Sequence, residues 1–292
     1  MKLSIVIPHY NSLNTLKRLL ASINKSEINL EVFVVDDNSF EEPCIENQYF
    51  DYPIRLLTNK NNKGAGGARN TALDEIESGY VLFADSDDEF LSGWGNLISE
   101  YLNSDNDIVF FSPEGIKEDG SETKRHESYK QMLTDYCNDN NKLDVLYKFH
   151  VPWSKLFRVE FLKQNKIRFD EVIASNDVMF SLKSAVYCKK FSVDKRSIYR
   201  VYESVDSMIK QTKFNSLKSR YDVLNRYNSF LLMNVQNANQ YCISPLPIIF
   251  KIIKNRPFHG MKILMTAFIK APIIFAFRGT LNSIIRRFQS KK

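Results

Sequence analysis

The sequence predicts an α/β fold: a mostly parallel sheet flanked by helices, followed by a helical C-terminal extension. Three features of the 292-residue chain lead there. Short apolar runs alternate with stretches of helical spacing through the first hundred residues, the rhythm of a parallel sheet. Polar clusters stand where the runs end, at 8–11, 36–39, 59–69 and 85–88, and such sheets bind ligands beyond the carboxyl ends of their strands. Past Lys210 the pattern changes to long helical spacing with many aromatics.

The elements follow in order. Leu3 to Ile7 is an apolar run stopped by Pro8, as a buried strand requires. Asn14 to Ile23 places Leu16, Leu19, Leu20 and Ile23 at helical spacing. Glu31 to Val35, Ile54 to Leu57 and Tyr80 to Ala84 read as further buried strands, with a helix over Ala65 to Ser78 ended by Gly79. Asp107 to Ser112 looks like a strand, and Thr123 to Asn141 is polar enough for a helix or a mobile loop. Val151 to Lys163 and Asn176 to Val186 both have helical spacing.

Composition bounds the class. With 43% hydrophobic and 25% charged residues the chain is globular rather than disordered, and its length allows one large domain or two small ones. The net charge of +6 is unevenly spread. No acidic residue follows Asp222, so the last 70 residues carry +11 while residues 1–222 carry −5. Cys44, Cys137, Cys188 and Cys242 lie far apart, without zinc spacing, and are expected to be buried thiols in a reducing compartment. The apolar run after Lys2 is too short for a signal peptide, and no run of 18 apolar residues exists, so a cytoplasmic chain is expected.

The chemistry concentrates at the strand ends. Asp85, Asp87 and Asp88 follow an apolar strand directly, and three carboxylates in four residues repel one another unless a cation joins them. Magnesium or manganese bridging a diphosphate fits hard oxygen ligands; a solvated acidic turn is the plainer reading of a D-x-D alone. The stretch from Lys60 to Asn70 contains Gly64, Gly66 and Gly67 but has Arg69 where a dinucleotide fingerprint needs glycine. What remains is a turn into a helix N-terminus with Lys63 and Arg69 nearby, suited to an anion or simply a capped loop. Asp36 and Asp37, before Asn38 and Ser39, offer a carboxylate for a ring N–H or an Asx turn.

Together these elements resemble the GT-A-fold glycosyltransferases of family 2. The resemblance rests on Ser4 to Asn11 (SIVIPHYN), Val35 to Ser39, Asn62 to Gly64 with Ala68 to Asn70, and Asp85 to Asp88. It continues through Pro152 to Phe157, Phe169 to Glu171 and Asn176 to Phe180, covering about the first 210 residues in order. It implies a catalytic domain over 1–210, with a nucleotide-binding half (1–100) and an acceptor half (101–210), and a basic, apolar helical region over 211–292. It also implies inverting transfer from a UDP-sugar to a hydroxyl of a glycan or lipid-linked acceptor, in bacterial surface polysaccharide synthesis. By the same resemblance Pro8 and Tyr10 border the uracil, Asp37 takes its ring N–H, and Arg69 sits near the base or phosphates. Asp85 and Ser86 contact the nucleotide-sugar, Asp87 holds Mn2+ or Mg2+, and Asp177 is the general base. The family's Glu-Asp pair is Asn176-Asp177 in this chain; Asp170 and Glu171 are the alternatives for the base. Trp153 is a candidate stacking face for the acceptor, or a core residue. Arg200 and Ser207 loosely match a late segment that closes over the donor.

Two other functions would need different residues. A nucleotidyltransferase making the activated sugar would carry a glycine-rich basic loop after the first strand, where Pro8 to Asn11 stands. A non-catalytic sugar-binding scaffold would have no reason to keep both Asp87 and Asp177. For the tail, Ile248 to Ile253 and Met261 to Phe277 are apolar but interrupted by Lys251, Lys254, Lys262, Lys270 and Pro272, and Arg286-Arg287 and Lys291-Lys292 follow. That predicts an interfacial attachment to the inner face of the cell membrane rather than a span. Packing on the catalytic domain or a homodimer interface is the alternative, and nothing else in the chain supports a nucleic-acid partner.

Overall fold

The computed structural model describes residues 1–23, 28–45, 50–124, 126–203 and 213–270. Its contacts divide the chain into two units, Met1–Glu171 with Phe180–Val205, and Val172–Met179 with Asp206–Lys292.

The first unit is built on an eight-stranded sheet. Its strands are β1 (Lys2–His9), β2 (Asn29–Asp36), β3 (Ile54–Thr58), β4 (Tyr80–Phe83), β5 (Glu89–Phe90), β6 (Ile108–Lys117), β7 (Lys155–Arg158) and β8 (Phe191–Glu203). They lie in the order β3-β2-β1-β4-β7-β6-β8-β5. Four neighbouring pairs are parallel and three, all involving β5 or β7, are antiparallel. The sheet is therefore mostly parallel, as predicted. β1 lies between β2 and β4, and Ile5, Val6 and Ile7 are completely buried. Covered on both faces, such a strand shows an unbroken apolar run.

Helix α1 (Leu13–Ser22) turns Leu16, Leu19 and Leu20 inward. Helix α2 (Ala65–Glu75) presents small residues, Gly66, Gly67, Ala68 and Ala72, all buried, so its backbone comes close to β1 and β2. The remaining helices of this unit are α3 (Trp94–Ser99), α4 (Glu127–Asn138), α5 (Asp144–Tyr147), α6 (Val159–Gln164) and most of α7 (Val178–Tyr187). The polar stretch at 123–141 thus contains a helix, α4.

The helical spacing at Val151 to Lys163 does not give one helix. Lys155–Arg158 is strand β7, inserted antiparallel between β4 and β6, and only Val159–Gln164 is helical. Leu156 and Phe157 are both completely buried because β7 is an interior strand, so the period-2 signal is lost and the apolar residues mimic a helix face. Strands β5 and β8 also escape the sequence pattern.

In the second unit, α8 (Phe214–Asn234), α9 (Leu246–Asn255) and α10 (Pro257–Lys270) follow one another. Tyr227 and Leu231 of α8 are buried. The Tyr227 hydroxyl donates to the Tyr241 carbonyl at 3.2 Å, and Asn228 exchanges hydrogen bonds with Ile243. Arg286-Arg287, Lys291-Lys292 and the end of the Met261 to Phe277 stretch lie outside the described residues.

Gly67 gives a direct test of the close packing on α2. A Cβ there would lie 2.1 Å from the Asn62 carbonyl oxygen. Alanine in an open helix interior would stabilise by about 0.5–1 kcal/mol, but backbone that must move costs about 1–3 kcal/mol. Gly67→Ala is therefore expected to lower stability in urea unfolding; a net gain would show that the loop yields freely.

Candidate active site

The carboxyl ends of β1, β2 and β3 lie side by side, with His9 opposite Asp36 and Asp36 opposite Thr58. Backbone bonding continues past the strands. The N–H groups of Asp37, Asn59 and Ala84 donate to the carbonyls of His9 (2.7 Å), Asp36 (2.8 Å) and Val6 (3.0 Å). Each polar loop thus leaves the sheet from a fixed point.

Asp36, the last residue of β2, and Asp37, the next, have separate tasks. Asp36 accepts from the Ser39 N–H at 3.0 Å and the Ser39 hydroxyl at 2.5 Å, which is an Asx turn. Asp37 reaches across to the loop before α2. It accepts the Gly64 N–H through both carboxylate oxygens, at 2.8 and 2.9 Å, and the Asn59 amide at 2.6 Å. The anion expected at this loop is, at Gly64, the chain's own Asp37. Lys63 instead lies over the Tyr10 ring, 4.1 Å from its centroid. Tyr10 is 43% exposed at the end of β1, while Pro8 is buried in the strand.

Behind Tyr10 a chain of small polar groups links β1 to the acidic turn. His9 Nδ1 is 3.0 Å from the Ser12 hydroxyl, which is 2.9 Å from the Ser86 hydroxyl. Burial pushes the His9 imidazole below its ordinary pKa, against the pull of the Asp36 carboxylate.

The turn after β4 brings Asp85, Asp87 and Asp88 together, with ligand oxygens within 4.8 Å of one another. Its three acids are held differently. Asp85 pairs with the nearly buried guanidinium of Arg69 at 2.5 Å, and Arg69 lies over the Phe169 ring at 5.1 Å. Asp88 is buried and serves as the anchor: it accepts the Tyr199 hydroxyl at 2.9 Å and the Tyr202 N–H at 2.8 Å. The Tyr199 oxygen in turn accepts the Asp85 N–H at 2.8 Å. Arg18 donates to the Asp87 carbonyl while stacking on the Tyr202 ring at 3.7 Å. Burial, and then the Asp88 and Asp85 carboxylates, push the Tyr199 phenol well above its ordinary pKa, so it stays a donor. Hard oxygens gathered this closely suit a divalent ion, and Asp87 with Asp85 would hold it, since both Asp88 oxygens already accept hydrogen bonds.

The other candidates are placed as follows. Glu171 accepts from Asn62 through its N–H (3.2 Å) and side-chain amide (2.7 Å), and from the Asn70 amide at 3.3 Å. Asp170 adjoins it. Asp177 directly precedes α7 and belongs to the second unit, where Ala174 is tied to Ser219 of α8 by two hydrogen bonds. Trp153 is 1% exposed, enclosed by Tyr129, Phe149 and Tyr199. It has no open ring face for a sugar, and its place is the core. Arg200 pairs with Glu89 at 2.7 Å and Glu114 at 2.9 Å; Ser207 lies outside the described residues. Cys44 and Cys137 are exposed rather than buried, because their loop and helix face turn outward, and all four cysteines are free thiols. Sequence reasoning missed Tyr199, Tyr202 and Arg18, which act over long sequence separations.

Residues 4–165 match the family model described as Glycosyl transferase family 2. This chain belongs to glycosyltransferase family 2. The family member is 32% identical over 205 residues to the poly(ribitol-phosphate) beta-glucosyltransferase of Bacillus spizizenii, covering 66% of this chain and 31% of that one. It is 28% identical over 229 residues to the UDP-Glc:alpha-D-GlcNAc-diphosphoundecaprenol beta-1,3-glucosyltransferase WfgD of Escherichia coli, covering 76% and 84%. This chain therefore spans about a third of the Bacillus relative and most of WfgD. Among solved structures, S. aureus TarS 1–349 in complex with UDP-GlcNAc superposes with a TM-score of 0.66 at 21% identity, over 88% of this chain and 75% of that one. The fold is the GT-A fold.

Tyr199→Phe removes one hydroxyl that serves both ends of the acidic turn. A buried group losing its partner costs about 1–3 kcal/mol. The variant is expected to lose that much stability in chemical denaturation, and an unchanged midpoint would mean that the turn holds itself.

Proposed function

We propose that this family 2 glycosyltransferase moves a sugar, with inversion, from a UDP-sugar to a hydroxyl of a glycan or lipid-linked acceptor in bacterial surface polysaccharide synthesis. The observation that carries the reading is the acidic turn Asp85–Asp88, braced by Tyr199 and Arg69 at the carboxyl end of β4. The relatives support the substrate class. WfgD is named for a UDP-glucose donor and a diphosphoundecaprenol acceptor, and TarS was solved with UDP-GlcNAc. Among the described residues no helix is long and apolar enough to cross a membrane. The reaction is assigned to the cytoplasmic side.

Each side chain has a task in this reading. Tyr10, exposed at the end of β1, stacks on the uracil, with Pro8 fixing the strand end beneath it. Asp37 keeps acceptor capacity beyond its bonds to Gly64 and Asn59 and takes the ring N–H of the base. Arg69 holds Asp85 in place beside the ribose and donor sugar, and Ser86, oriented by Ser12 and His9, donates to the diphosphate side. Mn2+ or Mg2+ held by Asp87 would supply the charge that stabilises the departing diphosphate.

Asp177 is the proposed general base, taking the proton of the incoming hydroxyl. Its support is its match to the family pattern in the segment Asn176 to Phe180. Glu171, engaged by Asn62 and Asn70, is the alternative carboxylate.

UDP release from UDP-glucose and UDP-GlcNAc in the presence of manganese tests the reading. Release is expected with at least one donor, and none from any donor, with or without acceptors, would favour a non-catalytic scaffold. Asp87→Ala should abolish metal-dependent turnover while the fold persists. Asp177→Asn should bind donor yet lose transfer by a factor of about 10² or more. Survival of transfer in that variant, with loss in Glu171→Gln or Asp170→Asn, would move the base.

A further inference from the structure

The second unit carries a surface that the transfer chemistry does not use. In α9 the buried positions are Ile249 and Ile252, while Lys251 and Lys254 face outward. Helix α10 turns back and meets α9 at Gly260, where a Cβ would stand 2.5 Å from Ile253. That contact fixes which side of α10 faces inward. The side left outward bears Phe258, 92% exposed, Met261, 44% exposed, and Met265, 62% exposed. Positions i, i+3 and i+7 lie on one helix face, so these three make a continuous apolar stripe. Lys262 is exposed beside Met261, and no acidic residue follows Asp222 anywhere in the chain.

Three apolar side chains on an outward stripe call for a partner, because an isolated exposed residue is ordinary but an aligned set is not. The charge identifies it. The last 70 residues carry eleven basic side chains and no acidic one. A second copy of this surface would bring like charges together, and a nucleic acid would satisfy the lysines but not the phenylalanine and methionines. An anionic bilayer satisfies both at once: the acyl boundary takes the stripe and the lipid phosphates take the lysines, whose long stems let the ammonium reach the headgroups. Unbranched methionine side chains also adapt to an irregular, fluid surface. Within its described residues α10 carries Lys262 amid its apolar side chains, which suits an orientation in the interface plane.

We propose that α10, with the lysines of α9, is a membrane-docking surface. It lies along an anionic bilayer with Phe258, Met261 and Met265 inserted and Lys251, Lys254 and Lys262 on the headgroups. The proposal stands apart from the donor and the base assigned above.

Flotation of the full chain tests it, using vesicles containing phosphatidylglycerol and vesicles of phosphatidylcholine alone. The chain should float with the anionic vesicles at low salt, lose binding at high salt, and stay at the bottom with the neutral ones. The combined variant Phe258→Asp, Met261→Asp, Met265→Asp, and separately Lys251→Glu, Lys254→Glu, Lys262→Glu, should each reduce the bound fraction about tenfold or more, since both terms are needed. Circular dichroism confirms that each variant is folded. Phe258→Trp should show a blue-shifted emission on adding anionic vesicles. UDP release measured in the absence of vesicles should be the same in the aspartate variant as in the parent, which separates loss of docking from loss of catalysis. Failure of the parent to float, flotation of the aspartate variant equal to the parent, or an unshifted tryptophan would each overturn the proposal. A dimer that the aspartate variant dissolves, with no flotation by the parent, would assign the stripe to a second copy instead.

Discussion

The hydroxyl of Tyr199 holds together two parts of the sheet that the strand order keeps apart. β4 and β8 are separated by β7 and β6, yet Tyr199 of β8 accepts the N–H of Asp85 and donates to Asp88 in the turn that follows β4. One buried oxygen therefore satisfies a donor at one end of the turn and an acceptor at the other. Without such a brace three neighbouring carboxylates would spread apart by their own repulsion. The pairing of β5 with β8, Glu89 opposite Arg200 and Phe90 opposite Tyr199, extends the same attachment by two residues. Register shifts at Phe111, Ser112 and Pro113 in the β6–β8 ladder let the later half of β8 take up its own alignment.

Beneath this turn the support is aromatic. Phe83, the last residue of β4, contacts Phe157, Phe169 and Phe180 edge-on, and Phe169 and Phe180 are stacked. Arg69 spans the boundary between that apolar cluster and the acids, with its guanidinium over Phe169 and on Asp85. Asn70, the next residue, exchanges two hydrogen bonds with the backbone of Phe169 at 3.0 Å each. The adjacent pair Arg69-Asn70 on α2 therefore positions both the acidic turn and the segment that carries Asp170 and Glu171.

Much of the first hundred residues was legible because its information is local. An apolar run followed at once by Asp36-Asp37 or Asp85–Asp88 states both the strand and what stands at its end. The stretch after residue 100 was less legible because its strands are defined by distant partners. β7 contains Lys155, a poor candidate for a buried strand until its ammonium is seen donating to the Phe149 carbonyl and lying over the Phe149 ring at 4.7 Å. β8 reads as polar through Asp194, Lys195 and Arg196, and the Tyr199 contact joins positions 114 residues apart. Of the two readings of the doubled acid at the end of β2, Asp36 makes the Asx turn, while Asp37 leaves that turn for the Gly64 N–H, a use the local sequence did not suggest.

That internal bond at Gly64 changes what the start of α2 offers to an anion. The positive end of a helix dipole attracts phosphate only while its N–H groups are open. At the start of α2 a carboxylate of the chain itself already lies against the Gly64 N–H, on both oxygens. An anion approaching the start of α2 would therefore meet a carboxylate at this N–H, and be repelled there rather than cradled.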